Sequence, residues 1–436
     1  MKGKRMEIKE AKIFLTERLE MPTEKIRCAE TAKRYYEGKN DILFAEKKGG
    51  DVDVLRNADN RIPHTFYPLL VNQKTAYLFT DPPLFSTGSE HSDKAVKACL
   101  GGDFAKKCQS LCVSASNCGC AWLHYWRGEK GKFCYDVLDG TQVFAVRSSD
   151  LQRDLLYAVR VYRVRQREGA KIVYEIWDRA ACFAFAHDEC SDILSGLEEY
   201  PIFESGVGRT NVLYHPFGAP PFIMFANNEL TSTDLEPIKS LIDIYDKTYS
   251  GFANDLEDIQ EVILTLSGYS GTDIGEFLSD LKRYKVIKLD DVSDKPGVDT
   301  LSIQIPVEAR EKMLELTRSA IFEEGQGIDP RPRDFGNASG VALQFMYSLL
   351  ELKAGMVETQ FRDGFERLVR AIAAYYGIKI DSVGQVWTRT AIRNDSELAE
   401  IAVQSRGIIS DETILRRHPW VEDPVQEAEK LTADAQ

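Results

Sequence analysis

Two arginines and two aspartates crowd one short stretch of this chain, Gly-Ile-Asp-Pro-Arg-Pro-Arg-Asp-Phe-Gly-Asn-Ala-Ser-Gly from Gly327 to Gly340. Its prolines and glycines predict an exposed, sharply shaped loop. With Asp329, Arg331, Arg333 and Asp334 it carries four charges, and an exposed charged loop ahead of a long helix is suited to touching a partner. Carboxylates also recur at i, i+3 spacing, as Asp243 with Asp246 and Asp255 with Asp258. On a helix they could act as paired carboxylates, but with Glu257 they give the helix an acidic back, which favours a solvated or lumen-facing surface. His187-Asp188-Glu189-Cys190 could supply metal ligands and reads better as a polar turn after the apolar run Ala180–Ala186. Six of the nine cysteines fall at Cys99, Cys108, Cys112, Cys118, Cys120 and Cys134. Only Cys108-x3-Cys112 has the spacing of a structural zinc pair, so buried free thiols are the expectation and no metal site is assigned.

The usual catalytic signatures are missing. There is no G-x-x-x-x-G-K-[ST] phosphate loop, no H-E-x-x-H and no G-x-S-x-G. Gly206-Val207-Gly208-Arg209 lacks a third glycine, and the six histidines stand singly. No catalytic residue and no cofactor are expected.

The elements that position these residues follow from composition and periodicity. The chain has 436 residues, 55 Lys plus Arg against 68 Asp plus Glu, and a net charge of −13. That balance excludes a protein that grips nucleic-acid phosphates over a broad basic face. No apolar run reaches the ~18 residues of a membrane span, and the charged start carries no signal-peptide pattern. The cytoplasm is the default compartment, with cysteines as thiols.

A mixed α and β first half is expected, with helices over Glu24–Tyr36 and Thr65–Thr75. Consecutive strands follow at Ala121–Trp126, Phe133–Val137, Val143–Val146, Leu155–Arg165 and Lys171–Trp177, then Phe222–Ala226. Thr233-x-x-Glu236 has the form of a capping box. After it Ile238, Leu241, Ile242, Tyr245, Tyr249, Phe252, Leu256 and Ile259 keep helical spacing. A small α+β insert (helix Glu276–Arg283, strands Lys285–Leu289 and Thr300–Ile305) leads to a helix over Pro306–Phe322. A helix of about 38 residues, Ser339–Tyr376, follows the charged loop and would run ~57 Å. A strand at Gly384–Thr390 and short helices at Ser396–Arg406, Ser410–Arg417 and Pro424–Thr432 close the chain.

The ordered motifs resemble the portal proteins, or head-to-tail connectors, of tailed phages, in the branch with long, non-contractile tails. The likeness is carried by Tyr35-Tyr36-Glu37-Gly38, Asn60-Arg61-Ile62, Tyr77-Leu78-Phe79 and Ala121-Trp122-Leu123-His124-Tyr125. It continues through Pro216-Phe217-Gly218, Asp234-Leu235-Glu236, Leu241-Ile242-Asp243, Asn254-Asp255, Gly336-Asn337-Ala338-Ser339-Gly340 and Gly407-Ile408-Ile409-Ser410. The cysteine-rich stretch is not part of that pattern.

The resemblance implies an α+β portal-type subunit that assembles as a ring. It has a wing (1–230), stem helices (231–260 and 306–326) and a small α+β clip (261–305). A tunnel loop (327–340), a long wing helix with a strand (341–393) and a small helical crown (394–436) complete it. A structural, non-enzymatic homo-oligomer is implied, twelve subunits in the virion at the capsid's portal vertex, assembled in the host cytoplasm. Its implied partners are double-stranded DNA bound without sequence preference, the packaging ATPase (terminase), major capsid and scaffolding proteins, and a head-completion adaptor, with no membrane. Asp329, Arg331, Arg333, Asp334 and Asn337 would face DNA in the tunnel loop, and Asp243, Asp246, Asp255 and Asp258 would form an acidic stem surface. The competing readings are a metal-dependent nucleic-acid-processing enzyme using the cysteine-rich segment, and a scaffold whose long helices pair as a coiled coil.

Overall fold

Helices dominate the start of the chain. In the computed structural model, which describes residues 6–19, 21–46, 58–167, 169–206, 208–259, 263–267, 286–289, 298–301, 306–331, 340–389, 395–417, 421, 427 and 431, Ile8–Ile13 (α1) and Thr23–Tyr36 (α2) precede Phe66–Phe79 (α3). The last helix takes in Tyr77-Leu78-Phe79, because those side chains pack into the core as the helix continues. The short strand Leu84–Ser86 (β1) and helices Glu90–Leu100 (α4) and Phe104–Cys118 (α5) follow.

The expected run of strands forms antiparallel sheets. Cys120–Arg127 (β2) pairs with Phe133–Leu138 (β3). Val143–Arg147 (β4), Leu155–Gln166 (β5), Gly169–Trp177 (β6) and Ala181–Asp188 (β7) make a meander, each strand pairing with the next. The helical turn Ile193–Gly196 (α6) and short strands Glu198–Glu199 (β8), Phe203–Ser205 (β9), Gly208–Thr210 (β10) and Val212–Tyr214 (β11) continue the chain; β8 and β11 pair with β7, and β9 pairs with β10. Strand β7 is apolar along its length because both faces are covered. Ala181, Phe183 and Phe185 pack with Ala11 and Leu15 around α1, whereas Cys182 packs with Trp122, Trp177 and Phe222. Phe222–Ala226 (β12) returns to pair with β2, a contact remote in sequence.

The second half is built on long helices. Lys239–Ile259 (α7) and Val307–Glu324 (α8) pack on α2 and α3 through Ile242, Tyr245, Ile321 and Phe322. Between them Ile263–Ser267 (β13) pairs in parallel with Val286–Leu289 (β14) and antiparallel with Val298–Leu301 (β15). A parallel pair needs a crossover connection; the helix expected at Glu276–Arg283 lies in that connection, outside the described residues.

Gly340–Tyr376 (α9) is one helix of 37 residues, within one residue of its expected start. Its buried face, with Ala354, Val357, Phe361, Phe365, Leu368 and Ile372, joins α3, α5 and β12 in the largest core. Gly364 permits that approach, since a Cβ there would stand 2.5 Å from the Phe225 ring. Gly384–Val386 (β16) pairs with β1, and Asp395–Gln404 (α10) and Asp411–Arg417 (α11) form the helical end. Among the described residues, no helix is long and apolar enough to cross a membrane.

Candidate functional site

The acidic face of α7 is organised by a neighbouring strap rather than by solvent. Residues 58–64 run extended beside it, and every second backbone N–H donates to an oxygen on every fourth residue of the helix. Ala58 N–H reaches Asp258 at 3.0 Å, Asn60 N–H reaches Asn254 at 2.6 Å, Ile62 N–H reaches Ser250 at 3.0 Å and His64 N–H reaches Asp246 at 2.9 Å. Two extended residues advance ~6.6 Å and four helical ones ~6.0 Å, so the two periods nearly match. Pro63, which has no N–H to give, falls between rungs.

This overturns the solvated-surface expectation for Asp246, which is 0% exposed. It also accepts from Asn40 Nδ2 at 2.6 Å and contacts His64 Nδ1 at 2.8 Å. A buried carboxylate requires such partners. The rest of the acidic set is occupied too. Asp243 accepts from the Tyr35 hydroxyl and pairs with Lys239 at 2.7 Å, and Asp255 pairs with Arg310 of α8. Lys239 also binds Asp41 at 2.5 Å. Burial and the adjacent Asp243 carboxylate push the Tyr35 hydroxyl upward in pKa. These carboxylates fasten α7 to its surroundings.

The charged loop is anchored where it leaves α8. Arg318 grips Asp329 with two bonds, at 2.9 and 2.6 Å, and the Arg331 N–H donates to the same carboxylate at 3.1 Å. Burial alone would raise the Asp329 pKa, but the Arg318 bond, the Arg331 N–H and the charges of both arginines together outweigh it and hold the carboxyl low. Asp329 is thus turned into the protein, contrary to its expected place facing outward. Gln73 of α3 clamps the Ile328 backbone from both sides, donating to its carbonyl at 2.7 Å and accepting from its N–H at 3.0 Å. Gly327 allows the loop to cross α3, since a Cβ would stand 2.1 Å from Leu70 Cδ2. Arg331 is exposed. Arg333, Asp334 and Asn337 lie outside the described residues.

Beneath this loop lies a buried charge node that periodicity did not single out. Lys74 of α3 donates to Asp234 at 2.5 Å and to Asn227 at 2.7 Å. Asn227 donates to the other Asp234 oxygen at 2.9 Å. Lys353 of α9 stands 3.5 Å from Asp234 and donates to the Gly325 carbonyl at 2.9 Å, joining the long helix to the loop base. Burial would raise the Asp234 pKa, yet the Lys353 and Lys74 charges overcome it and hold the carboxyl well below its usual range. Burial lowers the Lys353 pKa against the pull of Asp234. The available signal was Lys74 itself, a lone lysine in the apolar helix FYPLLVNQKTAYLF.

The cysteines do not assemble a site. Cys108 and Cys112 are buried in the core, where burial raises both thiols, and burial pushes Cys118 up to about 12 and Cys120 to about 11. His187 lies against Tyr174 and the Asp188 carbonyl. Among the described residues, no group of three or more His, Cys, Asp or Glu side chains could hold a metal ion.

A cleft of about 410 Å³ separates α7 from α8, lined by Tyr249, Phe252, Leu256, Val307 and Leu314, with Arg331 at its edge.

Comparison with known proteins adds identity to this geometry. The family model "Phage portal protein, SPP1 Gp6-like" matches residues 20–436. A "Portal protein" of Clostridium phage phiCD119 is 40% identical over 418 residues, 92% of this chain and 90% of that protein. A "Portal protein" of Bacillus phage SPP1 is 30% identical over 423 residues, 91% of this chain and 82% of that protein. A solved structure described as "Neck of native GTA particle computed with C12 symmetry" aligns with a TM-score of 0.41 and 12% identity, covering 88% of this chain and 97% of that one.

Proposed function

This chain belongs to the SPP1 Gp6-like family of phage portal proteins, and from that premise we propose that it forms a homo-oligomeric ring at the capsid vertex through which double-stranded DNA enters and leaves. The family match, which runs nearly end to end, is the observation that carries the reading. Within it, α7 and α8 are the stem, the β13–β15 sheet is the clip that meets the packaging ATPase, and α10 with α11 belong to the crown. The α and β elements up to residue 230, together with α9 and β16, make the wing. Head-completion, capsid and scaffolding proteins are its other partners.

The loop from Gly327 to Gly340 is the tunnel loop of this reading. Its first residues are fixed by Arg318 and Gln73, and Lys353 holds Gly325 just ahead of them, so its charge is presented from a rigid base. Each phosphate neutralised releases counterions and tightens binding, so a conduit for sliding DNA works best with few basic contacts. A net charge of −13 and an Asp329 already committed to Arg318 leave Arg331 and Arg333 as light, sequence-blind contacts.

Imaging of the purified full-length chain tests the ring. Annular particles with a central hole are expected, and a monodisperse monomer at micromolar concentration would overturn the reading. Arg331→Ala with Arg333→Ala should lower DNA packaged per head while rings persist; loss of the rings would assign those arginines to subunit contact instead.

A further inference from the structure

The exposed face of α9 changes character halfway along. Phe345, Leu349, Leu352 and Met356 are 81%, 37%, 61% and 59% exposed and follow one another at spacings of four, three and four. At ~100° per residue they form one stripe opposite the buried face. Further along the same face come Asp363, Arg367 and Arg370, tied into i, i+4 ion pairs. The second half is thus finished for water and the first half is not. A run of large exposed apolar side chains on one helix marks a surface that another surface covers.

The cleft between α7 and α8 has the complementary form. Along α7 its wall is Tyr245, Tyr249, Phe252 and Leu256, again at spacings of four, three and four, and Val307 and Leu314 close the far side. Leu256 and Val307 are 48% and 46% exposed. Both surfaces span about 16 Å of helix, and matched spacings of this kind let the knobs of one helix seat between the residues of another. His64 of the strap packs on Tyr245 and Tyr249 at the inner end of the cleft, so its open part is the outer end at Leu256 and Val307, while the α9 side chains stay exposed along the whole stripe.

We propose that the α9 stripe of one copy docks in the α7–α8 cleft of the next copy. This deepens the ring reading above and rests on it. The contact joins unlike surfaces, and head-to-tail contacts of that kind generate closed rings when the rotation closes. It also sets Arg331, at the cleft edge, beside the neighbour's stripe, so each tunnel loop is buttressed by an adjacent copy.

The test uses two full-length double variants. Leu352→Glu with Met356→Glu spoils the stripe and leaves the cleft, whereas Leu256→Glu with Val307→Glu spoils the cleft and leaves the stripe. Each alone should stay folded by circular dichroism and lose the ring by sedimentation velocity. Mixed one to one, they should form heterodimers that grow no further, because only one good stripe and one good cleft remain per pair. Rings in either variant alone, or folded variants that give no heterodimer on mixing, would overturn the proposal. Should the glutamates unfold the chain, alanines at the same four positions give the same mixing test by removing apolar surface without adding charge. Rings in the wild type and in both variants would reject only this contact, whereas a wild type without rings would reject the portal reading itself.

Discussion

The Lys74–Asp234–Lys353 node and the strap along α7 both fasten helices with polar groups, the first buried and the second running from the interior out to the surface. At the node a single carboxylate serves two lysines in a dry interior. Along the strap, neutral backbone donors meet a row of acceptors whose burial declines, from Asp246 and Ser250, both buried, to Asn254 and Asp258, both partly exposed. In the node, removing one group strands charge. In the strap, removing one group strands neutral donors, several at buried Asp246 and a backbone N–H that water can reach near the open end. Energy is therefore concentrated in the first and graded in the second.

The largest expected effect comes from Asp234→Asn, which leaves Lys74 and Lys353 buried without their anion. A loss of about 3–5 kcal/mol is expected, read as a shift in denaturation midpoint; a loss below about 1 kcal/mol would mean that the two lysines find other partners. The same site governs the acid limb. The Asp234 pKa is lower in the folded chain than in the unfolded one, so between the unfolded value of about 3.9 and the folded value the unfolded state binds more protons. Stability from this group is then full above that window and falls as pH drops through it. Stability measured against pH should fall less steeply in Asp234→Asn than in the wild type, and equal slopes would count against the lysines as the cause.

Smaller effects follow along the strap. Asp246→Ala removes the acceptor of the His64 and Asn40 groups and should cost about 2–3 kcal/mol. Asn254→Ala should cost about 1 kcal/mol and Asp258→Ala about half that. Equal costs at the three positions would break the graded picture, and a steeper fall would sharpen it.

Much of this fold was legible in sequence because the signals were local. The long helix begins one residue from its expected start, strands β4, β5 and β6 fall on the expected runs between turns, and Glu236 accepts from the Thr233 N–H as the capping box predicts. The helix itself begins only at Lys239, after a turn. What escaped was set by distant partners. The pairing of β12 with β2 and the burial of Asp246 depend on segments far away in the chain, and the inward turn of Asp329 depends on how the chain folds back on Arg318 after α8 ends. The acidic back of α7 looked solvated because periodicity tells which residues share a face and not what lies against it. Even so, Asp246, Ser250, Asn254 and Asp258 at intervals of four form a row of acceptors whose pattern was visible once a donor segment was known.

The near-match of strap and helix periods also works as a vernier. Each rung accumulates a mismatch of ~0.6 Å between extended and helical rise, or ~2 Å over the three intervals, and hydrogen-bond lengths tolerate only a few tenths of an ångström. Side-chain reach absorbs the remainder over four rungs, and a much longer ladder would drift out of step. The scale has one setting: a single-residue insertion between Ala58 and His64 would turn alternate N–H groups away from the helix and bring Pro63 onto a rung it cannot serve.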